Sequence, residues 1–567
     1  MSDEQRLKVV LCWHMHQPDY RGPAHGDYQL PWVYLHGIKD YTDMAAHLER
    51  HPDARAVVNF APVLLEQLDD YVTQIRAWLD LGTRIRDPLL AALAGPGLPL
   101  EPEQRRRLVR DCTRANEKNL IDRFRTFRRL VDIAGLIEEH AENALYLNDQ
   151  YLADLLVWYH LAWMGEHVRV NDVRICSLEK KRIGFTAEDR RRLVEVIGEQ
   201  LAGVIDRYRR LAEQGRVELS VTPYAHPILP LLLDLHSARE AMPGITLPDV
   251  AGYPGGEARA RWHIRKGVEV FERHFGFRPA GCWPSEGGVS GDTLRLLEEE
   301  GFAWAASGQQ VLHNSLTAFG GGNALPPNWI HRPYRLGEGR LNCFFRDDGL
   351  SDLIGFTYAD WHADDAVANL VQHLEGIAGA TAGDRHRVVS IIMDGENAWE
   401  YYPRNGWFFL DKLYQRLSDH PALELGTFSE VLQRGRSSSP SLPELVAGSW
   451  VYGTFSTWVG DPDKNRAWEM LAEVKQAFDR VLASGRLTPA QRREVELQLA
   501  RCEGSDWFWW FGDYNPGDTV SDFERLFRLQ LGYLYELLGE TPPAYLEQVF
   551  ARGSGDPALG GVMRRND

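Results

Sequence analysis

Apolar residues along this chain gather into short runs rich in Val, Ile and aromatic side chains, with longer helical stretches between them. The runs are "LKVVLCW" (7–13), "ARAVVNF" (54–60), "VELSVT" (217–222), "PAGCWP" (279–284), "FAWAAS" (302–307), "LNCFFR" (341–346) and "RVVSIIMD" (387–394), with "LELGTF" (423–428) as an eighth candidate. Seven or eight strands alternating with helices predict a parallel sheet or a (β/α) barrel. Their spacing is uneven. Residues 61–215 hold a single helix-rich block, including "EPEQRRRLVRDCTRANEKNLIDRFRTFRRLVD", which reads as an insertion on the barrel. The Ser/Pro-rich run "RGRSSSPSLPE" (434–444) reads as a linker. Helical periodicity follows it in "KNRAWEMLAEVKQAFDRVLAS" and "DFERLFRLQLGYLYELLG". The expected plan is therefore an α/β domain over 1–433, a linker over 434–447 and a helical domain over 448–567, its polar tail frayed from about residue 551.

The 567 residues suit one large domain with a smaller companion. A net charge of −17 argues against nucleic acid or an anionic membrane as partner, because both need a basic face. No apolar run reaches membrane-spanning length and the N-terminus lacks a charged-then-apolar signal pattern, so a cytoplasmic location is expected. Six scattered cysteines, with no CxxC pair, fit reduced and mostly buried thiols. Eighteen tryptophans are many, and Trp serves equally as core filler and as a platform for sugar faces.

Three patches carry candidate chemistry, each at the end of an expected strand. In "CWHMHQPDY", His14 and His16 alternate and so share a face. They could bind a metal, hydrogen-bond a polar substrate, or simply be satisfied core histidines. In "CWPSEGGVS", Glu286 sits beside Trp283 in a turn whose glycines let backbone approach a ligand. It is a nucleophile, an acid with a raised pKa, or a cap on the following helix. In "IIMDGENAWEYYPRNGW", a buried strand delivers Asp394 to its C-terminal end, the catalytic edge of a barrel. Asp394 could equally be a turn or cap residue. Glu396 and Glu400 follow closely enough to raise its pKa if they face it. Two carboxylates at the same end of one sheet, 108 residues apart, are the equipment of glycoside hydrolysis.

Taken in order, these motifs resemble glycoside hydrolase family 57 over nearly the whole chain. "HMHQP", "GRVELSVTPYAHPILPLL", "CWPSEG" and "MDGENAW" match four regions of the family, and "FFRDDGLSDLIGF", "GSWVYGTFSTWVGDPDKNRAWEML" and "EGSDWFWWFGD" are also similar to it. The resemblance implies an incomplete (β/α)7 barrel with a helical insertion, followed by a C-terminal α-helical domain that closes the cleft. It implies a retaining enzyme acting on α-glucans without metal or other cofactor. Carried over by motif, Glu286 is the nucleophile and Asp394 the acid/base. His14, His16 and His226 contact the sugar, and Trp283 and Trp399 shape its subsite. Asp352 belongs to the same substrate-binding set, and Trp450, Trp458 and Trp507 are stacking platforms from the helical domain. The opening "HMHQPDY…LPWVYLHGIKDY" is most similar to the α-amylase and amylopullulanase group. One departure is Gln309–Gln310, where the family leads one to expect an acid. A 4-α-glucanotransferase or branching enzyme on the same scaffold remains open, as does a glycan-binding protein without catalysis. From a different class, a metal-dependent deacetylase or amidohydrolase would use His14 and His16. Oligomeric state is left open.

Overall fold

Every apolar run lands in one sheet. The computed structural model describes residues 6–555, apart from 24–25, 139–142, 144–145, 320–324, 326, 385 and 436–438. Its strands are β1 (Leu7–Met15), β2 (Ala56–Phe60), β3 (Val217–Val221), β4 (Gly281–Cys282), β5 (Trp304–Ser307), β6 (Tyr334–Leu336), β7 (Asn342–Phe345), β8 (Val388–Asp394), β9 (Leu423–Leu425) and β10 (Ser441–Leu442). The order is β10-β6-β7-β5-β4-β3-β2-β1-β8, with β9 also on β1. The seven strands from β7 to β8 along this path pair in parallel. They curl into an incomplete (β/α)7 barrel, as expected. β7 and β8 share no full ladder, yet the gap is stitched by Asp347 N–H donating to Ser390 O at 2.8 Å and Arg346 Nε to Ile392 O at 2.9 Å.

Alternation along the strands sorts the core. Val10, Cys12, Val57, Trp283, Trp304, Ala306, Phe344, Val388 and Ile392 form a buried cluster inside the barrel. Helix Phe428–Gly435 seals that cluster with Phe428, Val431 and Leu432, and Phe428 stacks on Phe344 at 4.3 Å. Glu218 joins this seal to the wall, accepting Trp304 Nε1 at 2.7 Å and Ser429 N at 2.9 Å. Cys12, Cys282 and Cys343 lie in strands and are buried, unpaired thiols.

Between β2 and β3 the chain is helical, from Pro62–Leu81 through Ala187–Glu213. Of the stretch read as a linker, residues 436–438 lie outside the described residues and Ser441–Leu442 form β10 on β6. The frayed tail falls mostly on 556–567, also outside them. Helices Pro462–Ala483, Pro489–Cys502 and Gly517–Leu537 follow. No helix among the described residues is long and apolar enough to cross a membrane.

One buried carboxylate clamps this helical region to the barrel. Glu503 receives Arg259 Nη2 at 2.7 Å, Tyr253 OH at 2.5 Å and His263 Nε2 at 2.7 Å. Burial opposes its charge, but Arg259 and His263 outweigh burial and hold the carboxyl down to about 2. Glu503→Ala strands the Arg259 charge in the interior and is expected to cost about 3–5 kcal/mol. The folded pKa is depressed, so this contribution is complete above the ordinary value of 4.5 and fades as pH falls toward 2. Denaturant midpoints of wild type and variant should therefore differ widely at neutral pH and converge in acid.

Candidate active site

Strand register assembles the first half of the site. His14 on β1 is the Cα partner of Asn59 on β2 and of Asp394 on β8. His14 Nδ1 bonds Asn59 Oδ1 at 2.7 Å, and Thr222 Oγ1 donates to the same oxygen at 2.8 Å. His14 Nε2 faces His226 Nε2 at 3.2 Å, and His226 Nδ1 meets Ser505 Oγ at 2.8 Å. Ser505 Oγ also contacts Glu286 Oε1 at 3.1 Å. A single hydrogen-bonded chain thus runs from Asn59 to Glu286 across β2, β1, the loop after β3 and the helical region.

Glu286 occupies the turn Ser285–Gly287 after β4, at φ 57° and ψ 24°, a left-handed conformation that a non-glycine residue seldom adopts. Gly287 repeats it, and a Cβ there would strike the Trp283 ring at 2.9 Å. The turn is held from outside: Trp450 N–H donates to Glu286 O at 3.0 Å and Trp450 Nε1 to Glu286 Oε2 at 3.2 Å. Both carboxylate oxygens therefore have a neutral partner. Asp394 accepts Asn397 Nδ2 at 2.8 Å on Oδ2.

Electrostatically the site is crowded with acids. Burial, then the Asp506 carboxylate, push Glu286 up to about 8, against the pull of His16. Asp394 is raised by burial, with Asn397, His16 and Arg346 opposing. Glu396 is raised well above the carboxylate range by burial and then by Asp394. Its Oε1 collects His16 N, Gln17 Nε2 and Tyr41 OH, while its buried Oε2 has no partner among the described residues. Burial works against a cation at His16, but Asp506 at 2.8 Å, then Glu286 and Asp394, overcome it and raise the pKa. His14 is lowered to about 3 by burial and by the neighbouring His16, and His226 is lowered for the same reasons. Of the three, His16 is the one whose surroundings favour the charged form.

The three histidines bring ring nitrogens within 4.8 Å of one another. Yet the His16 and His226 rings stack at 3.8 Å and 15°, so their in-plane lone pairs run side by side. A shared ion needs lone pairs that converge at about 2.0–2.1 Å. The arrangement is built for hydrogen bonding.

A cleft of about 1070 Å³ opens above these groups, lined by His14, His16, His226, Glu286, Asp394 and Trp450 among others. Trp283 lies beneath it, fully buried and edge-on to Trp450 at 5.2 Å. The other expected contacts are elsewhere. Trp399 is buried, donates to Gly395 O at 3.0 Å and packs on Trp13, so it supports the loop rather than lining the cleft. Asp352 accepts Arg346 Nη2 at 2.6 Å and acts through that guanidinium, which lies 5.9 Å from the Trp450 ring. Trp458 and Trp507 are core: Trp458 packs on Trp509, and Trp507 on Phe523 and Phe527. Gln309 accepts Asp348 N, and Gln310 reaches Asn314; neither lines the cleft. Burial, not Glu396 or Glu400, is what raises Asp394.

Ser505, Asp506, Asn59, Gln17 and Arg346 escaped the sequence reading as site residues. Asn59 had a signal, since it shares the inward alternation of β2. Asp506 had a weaker one, an acid opening the aromatic run "DWFWWF".

Solved structures share this fold at low identity. A family 57 branching enzyme from Thermococcus kodakaraensis superposes with a TM-score of 0.58 at 16% identity, covering 94% of this chain and 90% of that one. The α-amylase AmyC from Thermotoga maritima gives 0.55 at 15%, covering 96% of each. The 4-alpha-glucanotransferase from Thermococcus litoralis gives 0.51 at 14%, covering 94% and 60%. A search of curated protein sequences finds no match. The glycosyl hydrolase family 57 profile matches residues 10–442, and on that match the chain belongs to glycosyl hydrolase family 57.

Proposed function

We propose that this enzyme cleaves α-glucans, at α-1,4 links with α-1,6 links as the alternative, by a retaining mechanism with Glu286 as nucleophile and Asp394 as general acid/base. The observation that carries the reading is the pairing of these two carboxyls in one cleft, both acting electrostatically on His16. The α-glucan enzymes among the structural relatives support the substrate class.

The two roles follow from how each acid is held. Glu286 is fixed at both oxygens, so it meets an anomeric carbon in one orientation. Asp394 is held at Oδ2 by Asn397, which leaves Oδ1 to carry a proton to the departing oxygen and later take one from water. With both pKa values raised, the two carboxyls titrate as a pair that retains a proton near neutrality. Sugar binding displaces water, and His16, the local cation, moderates the charge left on Glu286. A transferase or branching reaction uses the same first step, with a sugar hydroxyl in place of water at the second. The branching enzyme and glucanotransferase relatives favour that second reading.

Product profiles on amylose and pullulan test the proposal. Asp394→Asn should lower kcat on unactivated glucan by about 10²–10⁴-fold, and Glu286→Gln should abolish turnover. Full activity in both would overturn the assignment. New reducing ends alone indicate hydrolysis, whereas longer chains or new α-1,6 links indicate transfer.

The pH profile gives an independent check. Glu286 must lose its proton to attack, so the acidic limb of kcat/KM tracks its raised pKa. Asp506→Asn removes the larger charge effect on Glu286, which outweighs the accompanying loss of the opposing His16 cation that Asp506 sustains. That limb should then move to lower pH, and a stationary limb would contradict the electrostatic reading.

A further inference from the structure

A second cavity of about 430 Å³ lies beside the catalytic cleft, and the two have Leu30, Trp32, Arg114 and Asp522 in common. Three separate parts of the fold meet there: the loop after β1, the helical insertion and helix Gly517–Leu537. The charged members of the shared wall form an ion pair, Arg114 Nη1 to Asp522 Oδ2 at 3.1 Å, each side chain about one-third exposed at 32% and 33%. A pair this exposed contributes little to stability. Parting it is therefore cheap compared with what a bound ligand supplies.

The second cavity has the chemistry of a neutral polyhydroxyl ligand. Arginines and carboxylates line it in equal number, so it favours neither anions nor cations. Half-buried Trp32 offers ring surface, with Tyr28 and Tyr159 buried behind the wall, and Gln104 and Arg110 supply exposed donors that make no side-chain hydrogen bond among the described residues. A ring face flanked by arginine donors and carboxylate acceptors suits the apolar face and hydroxyl edge of a sugar.

We propose that this cavity takes the distal glucosyl units of a long α-glucan chain, and that the Arg114–Asp522 pair is a crossbar the chain parts to reach it. The inference rests on the α-glucan reading above and names a chain-length determinant for the same site. A short oligosaccharide ends within the catalytic cleft and does not touch the crossbar. A long one gains contacts only if the crossbar opens.

The test is the ratio of kcat/KM for a long linear maltooligosaccharide to that for a short one, in the full-length enzyme. Gln104→Trp, at an exposed position, fills the cavity and should lower the ratio by about tenfold, the effect of losing one good subsite contact. Arg114→Ala removes the crossbar without filling the cavity and should raise the ratio. Thermal melts establish that each variant is folded, and if Gln104→Trp is not, Arg114→Ala decides alone. A ratio within about twofold of wild type in a folded variant would overturn the proposal. Wild type that turns over no α-glucan of any length would instead overturn the substrate reading on which it rests.

Discussion

The site depends on one buried carboxylate that never meets the cleft. Glu503 ends helix Pro489–Cys502 and is gripped by Arg259, His263 and Tyr253, which lie in or just before helix Gly256–Phe275 beside the barrel. Arg259, His263 and Glu503 are buried and Tyr253 nearly so, and in a low-dielectric interior each partner is needed to make the others tolerable. The next residues, Gly504 to Asp506, carry the two contacts that complete the catalytic end. Ser505 N–H donates to His226 O at 2.9 Å, Ser505 Oγ reaches Glu286, and Asp506 reaches His16. His263 also holds the loop that bears His226, since Ala225 N–H points at His263 Nδ1 at 3.4 Å. One clamp thereby sets the position of groups on both sides of the cleft.

Charge is the second constraint. Glu286, Asp394, Glu396 and Asp506 crowd a space whose cations are His16 and, behind Trp450, Arg346. Four carboxylates, Glu286 and Glu396 buried and Asp394 and Asp506 half-buried, cannot all be ionised against so little positive charge, so protons stay on some of them. The donor pattern shows where. Glu396 takes three donors on one oxygen and leaves the other buried and bare, which suits a neutral carboxyl. Asp506, by contrast, pairs its Oδ1 directly with the His16 ring. The proposed catalytic pair, Glu286 and Asp394, stands between these extremes, where a proton is exchanged at modest cost.

The barrel was legible in the sequence because its strands are buried on both faces and read as continuous β-branched runs. All eight expected runs contain a strand, including β4, which keeps only Gly281–Cys282. β6 and β10 were not legible, being two or three residues long, and β10 lies in a stretch whose Ser and Pro content suggests a linker. For the site, the residues at strand ends were legible, because an acid or histidine after an apolar run has few structural reasons to be there. Trp458, in a turn, and Trp507, in a helix, misled because an aromatic has the same local pattern whether it faces core or ligand. Ser505 and Asp506 were hidden for a different reason. Their partners lie 219 and 490 residues away, and no local pattern encodes such a contact.

The turn at Glu286 shows how these constraints combine. A left-handed, non-glycine residue costs on the order of 1–3 kcal/mol and persists only when its surroundings over-determine it. Here the neighbouring turn bonds are Gly287 N–H to Pro284 O at 2.8 Å and Gly288 N–H to Ser285 O at 2.9 Å, and Ser307 Oγ holds Gly287 O at 2.6 Å. The bonds to Glu286 itself come from Trp450, by backbone and by indole, and from Ser505. Trp450 and Ser505 both lie after β10, beyond the barrel strands. The barrel therefore supplies the acid and the strained turn, while the following region supplies what makes one orientation of that acid the stable one. The proposed nucleophile is held from both parts of the chain, which couples its geometry to the integrity of the Glu503 clamp.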